Sequence, residues 1–224
     1  MRRFLRDNGL SVFFGMVFLG ALAGQAIAGH IAYNAEQAAH GEETISLGRY
    51  LTSSSFGQAV MENWQSEYLQ FLLFITVTVW LVQRGSPESK GVEKAGVGDE
   101  REQRIGRFAG RGAPTWARVG GWRTAIFGNS LLIVMGTIFL LSLLAQSVTG
   151  WTEYNQQQLD HQATEVSWLT YVGTASFWED VLQNWQSEFL AVGSMAIFAV
   201  LLRQRGSPES KPVGARHEAT DVHG

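Results

Sequence analysis

Two carboxylates are carried by the same pentapeptide, Asn63-Trp64-Gln65-Ser66-Glu67 and, 121 residues later, Asn184-Trp185-Gln186-Ser187-Glu188. Each copy opens an apolar run, so Glu67 and Glu188 fall at the edge of hydrophobic segments. A carboxylate placed there can bond neighbouring helices together, bind a cation or relay protons, or join a metal site. At helical spacing Asn63, Ser66, Glu67 and Gln70 share one face, with Asn184, Ser187 and Glu188 as counterparts, while Gln65 points away and Trp64 lies at the flank. A charge facing lipid is costly, so this face is expected to look into a helix bundle. Its partners by type and position are the amides of Gln25 and Gln146, the hydroxyls of Tyr33 and Tyr154, and the imidazoles of His40 and His161.

Other chemistry is narrowed by composition. The chain has no cysteine, which excludes disulfides, thiolate metal sites and thiol redox chemistry. Two His and two Glu could supply nitrogen and oxygen donors to a metal. Only one His per half is duplicated, with no His-x-x-His or Glu-x-x-His cluster, which argues against it, and His40 and His161, outside the hydrocarbon core, cannot ligate a haem inside it. No metal, no cofactor and no catalytic residue is expected, and no nucleic-acid partner.

The elements that position these residues follow from apolar segregation. Hydrophobic residues gather in four blocks and charges between them, the pattern of a small polytopic membrane protein whose partner is the lipid bilayer. The first block, Leu10 to Ala28, is long enough to span. Arg2, Arg3 and Arg6 before it and Ala26-Ile27-Ala28 after it would also suit a cleaved signal peptide. Aligned without a gap, however, it matches Leu131 to Thr149, mid-chain, which favours a retained span. The register runs from Arg2/Arg123 to Val92/Val213 with about 35 of 91 positions identical.

On the first helix the identities Gly15, Phe18, Leu22, Gln25, Gly29, Tyr33 and His40 form one stripe, repeated as Gly136, Phe139, Leu143, Gln146, Gly150, Tyr154 and His161. The spacing predicts a helix from Asn8 to His40 that continues past the membrane as a stalk, with Tyr33, His40, Tyr154 and His161 on its outer face. Ser55-Phe56-Gly57-Gln58 and Ser176-Phe177-Trp178-Glu179 read as capping boxes that start the second helix of each half. The apolar runs after Glu67 and Glu188 are short, so the pentapeptides must supply the outer turn of those spans.

The expectation is an all-α integral membrane fold: four transmembrane helices as two tandem parallel helical hairpins with helical extensions outside the membrane. Residues 1–92 form the first hairpin (spans 10–29 and 63–83), 93–121 a flexible cytoplasmic linker, 122–213 the second hairpin (spans 126–149 and 184–203), and 214–224 a disordered tail. About sixteen of the seventeen Lys and Arg then lie on one side, Arg49 alone opposite, which puts both termini in the cytoplasm. The hairpins are related by a pseudo-two-fold axis along the membrane normal.

Each half ends in the same octapeptide, Gln83-Arg84-Gly85-Ser86-Pro87-Glu88-Ser89-Lys90 and Gln204-Arg205-Gly206-Ser207-Pro208-Glu209-Ser210-Lys211. A cation, a glycine and a proline in that order suit a helix C-terminus. Identity past the cap marks a cytoplasmic motif, with Arg84, Ser86, Lys90, Arg205, Ser207 and Lys211 able to bind headgroups or a partner. With both motifs in place, the chain resembles a family of uncharacterised bacterial membrane proteins that carry this hairpin twice. The resemblance implies a multi-pass protein of the bacterial cytoplasmic membrane and brings no activity with it.

Function is accordingly expected to be non-enzymatic. Glu67, Glu188, Asn63, Asn184, Ser66, Ser187, Gln25 and Gln146 would form a polar intramembrane site that is structural or linked to a cation or proton. The alternative is an accessory or scaffold subunit of a larger membrane assembly or homo-oligomer, and after it a metal-dependent membrane enzyme.

Overall fold

The computed structural model describes residues 2–224. Every regular element among them is helical: α1 (Arg2–Ala39), α2 (Leu47–Tyr50), α3 (Ser54–Val77), α4 (Thr115–Arg118), α5 (Gly121–Gly128), α6 (Ser130–Asp160), α7 (Trp168–Val172) and α8 (Ala175–Leu201). Single 3-10 turns at Val92–Lys94 and Gly106–Phe108 interrupt the linker, which otherwise carries only α4.

Two of these helices, α1 and α6, are long and apolar enough to cross a membrane. In α1 the backbone departs from helical geometry only at Asn8, so the apolar stretch and the stalk beyond it are one rod. No proline interrupts it, and no residue of its apolar window is buried, with Leu10, Phe14 and Leu19 exposed. That exposure suits a lipid surface.

The other two expected spans, 63–83 and 184–203, do not meet the same test. Length is not the obstacle, since 24 and 27 residues of helix extend about 36 and 40 Å at 1.5 Å per residue. The pentapeptides lie near the middle of α3 and α8 instead of at one end, and they dilute the apolar window. Moreover α3 stops at Val77, where Thr76 and Thr78 turn their hydroxyls onto the Leu72 and Phe74 carbonyls.

Helix starts also differ from the expected capping boxes. The caps lie two residues earlier: Ser53 Oγ accepts from the Phe56 N–H, and Thr174 Oγ1 from the Phe177 N–H. A hydroxyl at the residue just outside the first turn satisfies an otherwise orphaned donor. Ser55 and Ser176 are already inside their helices.

The chain forms two compact units, residues 1–60 with 145–171, and residues 61–144 with 172–224. In the first, two loops fold back on their helices through the same contacts. The Asn34 amide receives the Ile45 N–H at 2.8 Å and donates to the Ile45 carbonyl at 2.9 Å. Asn155 does the same with Val166, at 2.9 and 3.0 Å. A second ring nitrogen reinforces each carbonyl, His30 Nε2 at 2.7 Å from Ile45 O and Trp151 Nε1 donating to Val166 O at 2.7 Å. The loops thereby deliver Tyr50 and Tyr171, both buried, onto Gly29 and Gly150. A Cβ at either glycine would collide with the tyrosine hydroxyl, so the close approach requires glycine there.

In the second unit the buried positions include Leu69 of α3, Ser142 of α6, and Val181 and Ala199 of α8. A side chain at Gly136 would touch Leu72. The tail makes hydrogen bonds in this unit: the Gly85 N–H donates to Thr220 Oγ1 at 2.8 Å and the Gly224 N–H to the Ser210 carbonyl at 2.7 Å.

Candidate functional site

The pentapeptides meet in the second unit, through Asn184 and Ser66, which the helical wheel selects, and through Gln65, Trp185 and Glu62, which it does not. Gln65, expected to point away, is fully buried, and its Oε1 accepts from Trp185 Nε1 at 2.8 Å. Asn184 Nδ2 donates to Glu62 Oε1 at 2.6 Å and to its own helix at the Asp180 carbonyl. Ser66, also buried, and Ser187 turn their hydroxyls back to the carbonyls of Asn63 and Asn184. Glu67 and Asn63 are exposed. Glu188 is half-buried and lies within electrostatic reach of Glu67, with the Ser66 hydroxyl at its carboxylate.

The inward arc of α3 therefore runs through Gln65, Ser66 and Leu69, rotated from the predicted Asn63, Ser66, Glu67 and Gln70. An α3 that is apolar on most sides gives no moment strong enough to tell these arcs apart. Glu62 and Gln65 are the residues that sequence reasoning missed, Gln65 although it lies inside the duplicated motif. Gln25 and Gln146 belong to the other unit. There Gln25 is exposed and Gln146 is buried with its Oε1 unpartnered among the described residues.

The octapeptides are loops, not helix caps, since α3 and α8 end at Val77 and Leu201. Each opens with a four-residue turn closed by the Ser86 N–H on the Gln83 carbonyl or the Ser207 N–H on the Gln204 carbonyl. The third residue of each turn has a left-handed backbone, φ +88° at Gly85 and +80° at Gly206. Ser89 and Ser210 accept the N–H of Gln83 and Gln204 at 2.8 and 2.9 Å, and Ser86 and Ser207 accept that of Glu88 and Glu209 at 3.2 Å. The shared serines and glycine are thus all used in one loop geometry.

The loops differ in their cations. Lys90 Nζ donates to the Gly96 carbonyl, whereas Lys211 is wholly buried and donates to the carbonyls of Gly85, Arg216 and His217. Burial, and then the nearby Arg203 charge, lower the Lys211 pKa. Arg84 and Arg205 are exposed. The remaining duplicated side chains, Glu88 and Glu209, face each other at a cavity of about 360 Å3 lined also by Gln70, Phe74 and Met195. Burial raises the Glu88 pKa first, and the charge and hydrogen bond of Glu209 raise it further against a small opposing effect of His223.

In the first unit the tyrosines of the stalk face are structural. Tyr33 and Tyr154 pack their rings on Tyr50 and Tyr171 at 5.6 and 5.3 Å, and the Tyr154 hydroxyl accepts from Gln158. Burial, and then the Glu153 charge, raise the Tyr33 pKa. His40 and His161 are exposed. Among the described residues no three His, Asp or Glu side chains gather closely enough to hold a metal ion. Asn34 and Asn155 were legible as a duplicated pair beside Tyr33 and Tyr154, and they do more of the local bonding than either tyrosine.

Among the described residues the chain is all-helical, two of its helices are long and apolar enough to cross a bilayer, and polar side chains bond α3 to α8. It belongs to the family described as Domain of unknown function (DUF6766), which matches residues 1–222. Comparison with the curated proteins and with the solved structures returns no match.

Proposed function

We propose that the chain is a non-enzymatic, four-span protein of the bacterial cytoplasmic membrane, built from two parallel hairpin repeats with both termini inside. In this reading the duplicated pentapeptides are a polar seam that joins the second helix of one half to the second helix of the other. The supporting observation is the Trp185–Gln65 hydrogen bond, made by a fully buried amide and seconded by Asn184 on Glu62. Polar side chains that bond across helices stabilise association where no hydrophobic drive exists between them. The one-sided distribution of Lys and Arg supports the orientation. Topology reporters fused after residues 42, 105 and 163 test it: four spans put the first and third outside and the second inside. A reporter at 105 found outside removes the four-span reading, because α1 and α6 would then be the only crossings.

A second reading, proton or cation passage, is favoured by one observation, the proximity of Glu188 to Glu67. Reconstituted protein should then show proton or cation flux that a Glu67→Gln/Glu188→Gln variant loses. Equal flux in both proteins, or none in either, removes that reading and leaves the seam.

A further inference from the structure

A second polar site lies in the first unit, apart from both duplicated motifs. It is a cavity of about 490 Å3 whose lining includes Tyr33, Gln37, Glu43, Arg49, Thr52 and Gln156. Arg49 hydrogen-bonds only through its backbone, to Ser46 and Thr52, and its guanidinium has no partner among the described residues. On the acidic side stand Glu43 in the lining and Glu153 behind it, half-buried and bonded by the Ser54 hydroxyl at 3.1 Å. Arg49 and Glu153 both act electrostatically on the Tyr33 hydroxyl, so opposite charges flank it without forming an ion pair with each other.

Neither charge is explained by duplication. The positions 121 residues away from Arg49 and Glu153 are Thr170 and Ala32. Arg49 is moreover the one basic residue on the outer side in the proposed topology, against the bias that empties that side of cations. A free guanidinium suits a phosphate or carboxylate, which it grips with two parallel N–H donors. The nearby carboxylates, Glu43 in the lining and Glu153 bonded to the lining residue Ser54, disfavour a simple dianion and suit a primary ammonium.

Depth narrows the source. Tyr33 lies four residues past Gly29, the end of the apolar run, or about 6 Å along the helix. The headgroup layer is about 5–8 Å thick on each side of the hydrocarbon. We propose that this cavity binds a zwitterion carrying an oxyanion on Arg49 and a primary ammonium toward Glu43 and Glu153, supplied at this depth by an aminophospholipid headgroup. The depth, though not the cavity, rests on the topology proposed above.

The test uses the full-length protein, with native mass spectrometry reading the lipid retained from mixed phosphatidylethanolamine, phosphatidylcholine and phosphatidylglycerol. Selective retention of phosphatidylethanolamine is expected, because phosphatidylcholine lacks N–H donors and phosphatidylglycerol lacks the cation. Arg49→Gln and Glu43→Gln should each weaken it about tenfold or more, the scale of one charged hydrogen bond. Both side chains are exposed, and thermal melting confirms that the variants fold. Equal retention of the three lipids overturns the lipid assignment, and an unchanged Arg49→Gln variant overturns the site. Calorimetry with soluble glycerophosphoethanolamine separates the sources: binding of that probe without lipid selectivity overturns the lipid assignment and keeps the zwitterion site. A reporter at residue 42 found inside overturns the topology alone, since lipid selectivity is read independently of side.

Discussion

At the scale of single residues, the side chains that carry the pentapeptide are the amide and the indole, not the acids. Trp185 donates its indole N–H to the one buried oxygen that Gln65 offers. The Gln65 amide nitrogen has no partner among the described residues, so that single bond holds the whole group in place. Trp185→Phe keeps the aromatic ring and leaves Gln65 with neither atom bonded, which should cost about 1–3 kcal/mol. Thermal melting in detergent checks it, with Trp64→Phe as the comparison. Retained stability in Trp185→Phe would mean the seam does not depend on this bond.

At the scale of elements, each stalk is a helix with a loop bound back onto it. Asn34 and Asn155 imitate a backbone: each offers one acceptor and one donor to a single loop residue, which ties the loop at a fixed register. Everything downstream depends on that register, including the seating of Tyr50 on Gly29 and of Tyr171 on Gly150. Asn34→Ala or Asn155→Ala removes two bonds and orphans a loop N–H, at a cost of about 1–3 kcal/mol. Hydrogen exchange should show the Ile45 or Val166 amide losing protection, while the α1 and α6 amides within the apolar runs keep theirs. The helices themselves were legible from their apolar runs, and the caps were displaced by two residues because Ser53 and Thr174 compete with equally suitable hydroxyls beside them.

At the scale of the whole molecule, the two octapeptide loops make stability fall as pH rises. Glu88 has a raised pKa in the folded protein, so between its ordinary value of 4.5 and the higher folded value the folded state binds more protons than the unfolded chain. Stability contributed by this group is therefore greatest at low pH and falls as pH rises through that interval. Glu88→Gln keeps a hydrogen-bonding group opposite Glu209 and removes the charge. It should melt at a higher temperature than the parent at pH 7, with the advantage shrinking toward pH 4.5. An unchanged melting temperature at both values would show that the two carboxylates do not face each other in solution.

By itself the sequence determined that the chain is helical, that two of the four expected spans, 10–29 and 126–149, lie in helices apolar enough to cross a membrane, and that two motifs recur at one spacing. Those properties are local: they depend on hydrophobic run length, the absence of breakers, and identity along the chain. Only the tertiary structure decided which arc of α3 is inside, that the octapeptides are clasped loops closed by Ser89 and Ser210, that Lys211 is buried beneath the tail, and that Arg49 and Glu153 both act on the Tyr33 hydroxyl. A helix apolar on most sides does not announce its inner face, and two residues more than a hundred positions apart share a site only after the loops between them have closed.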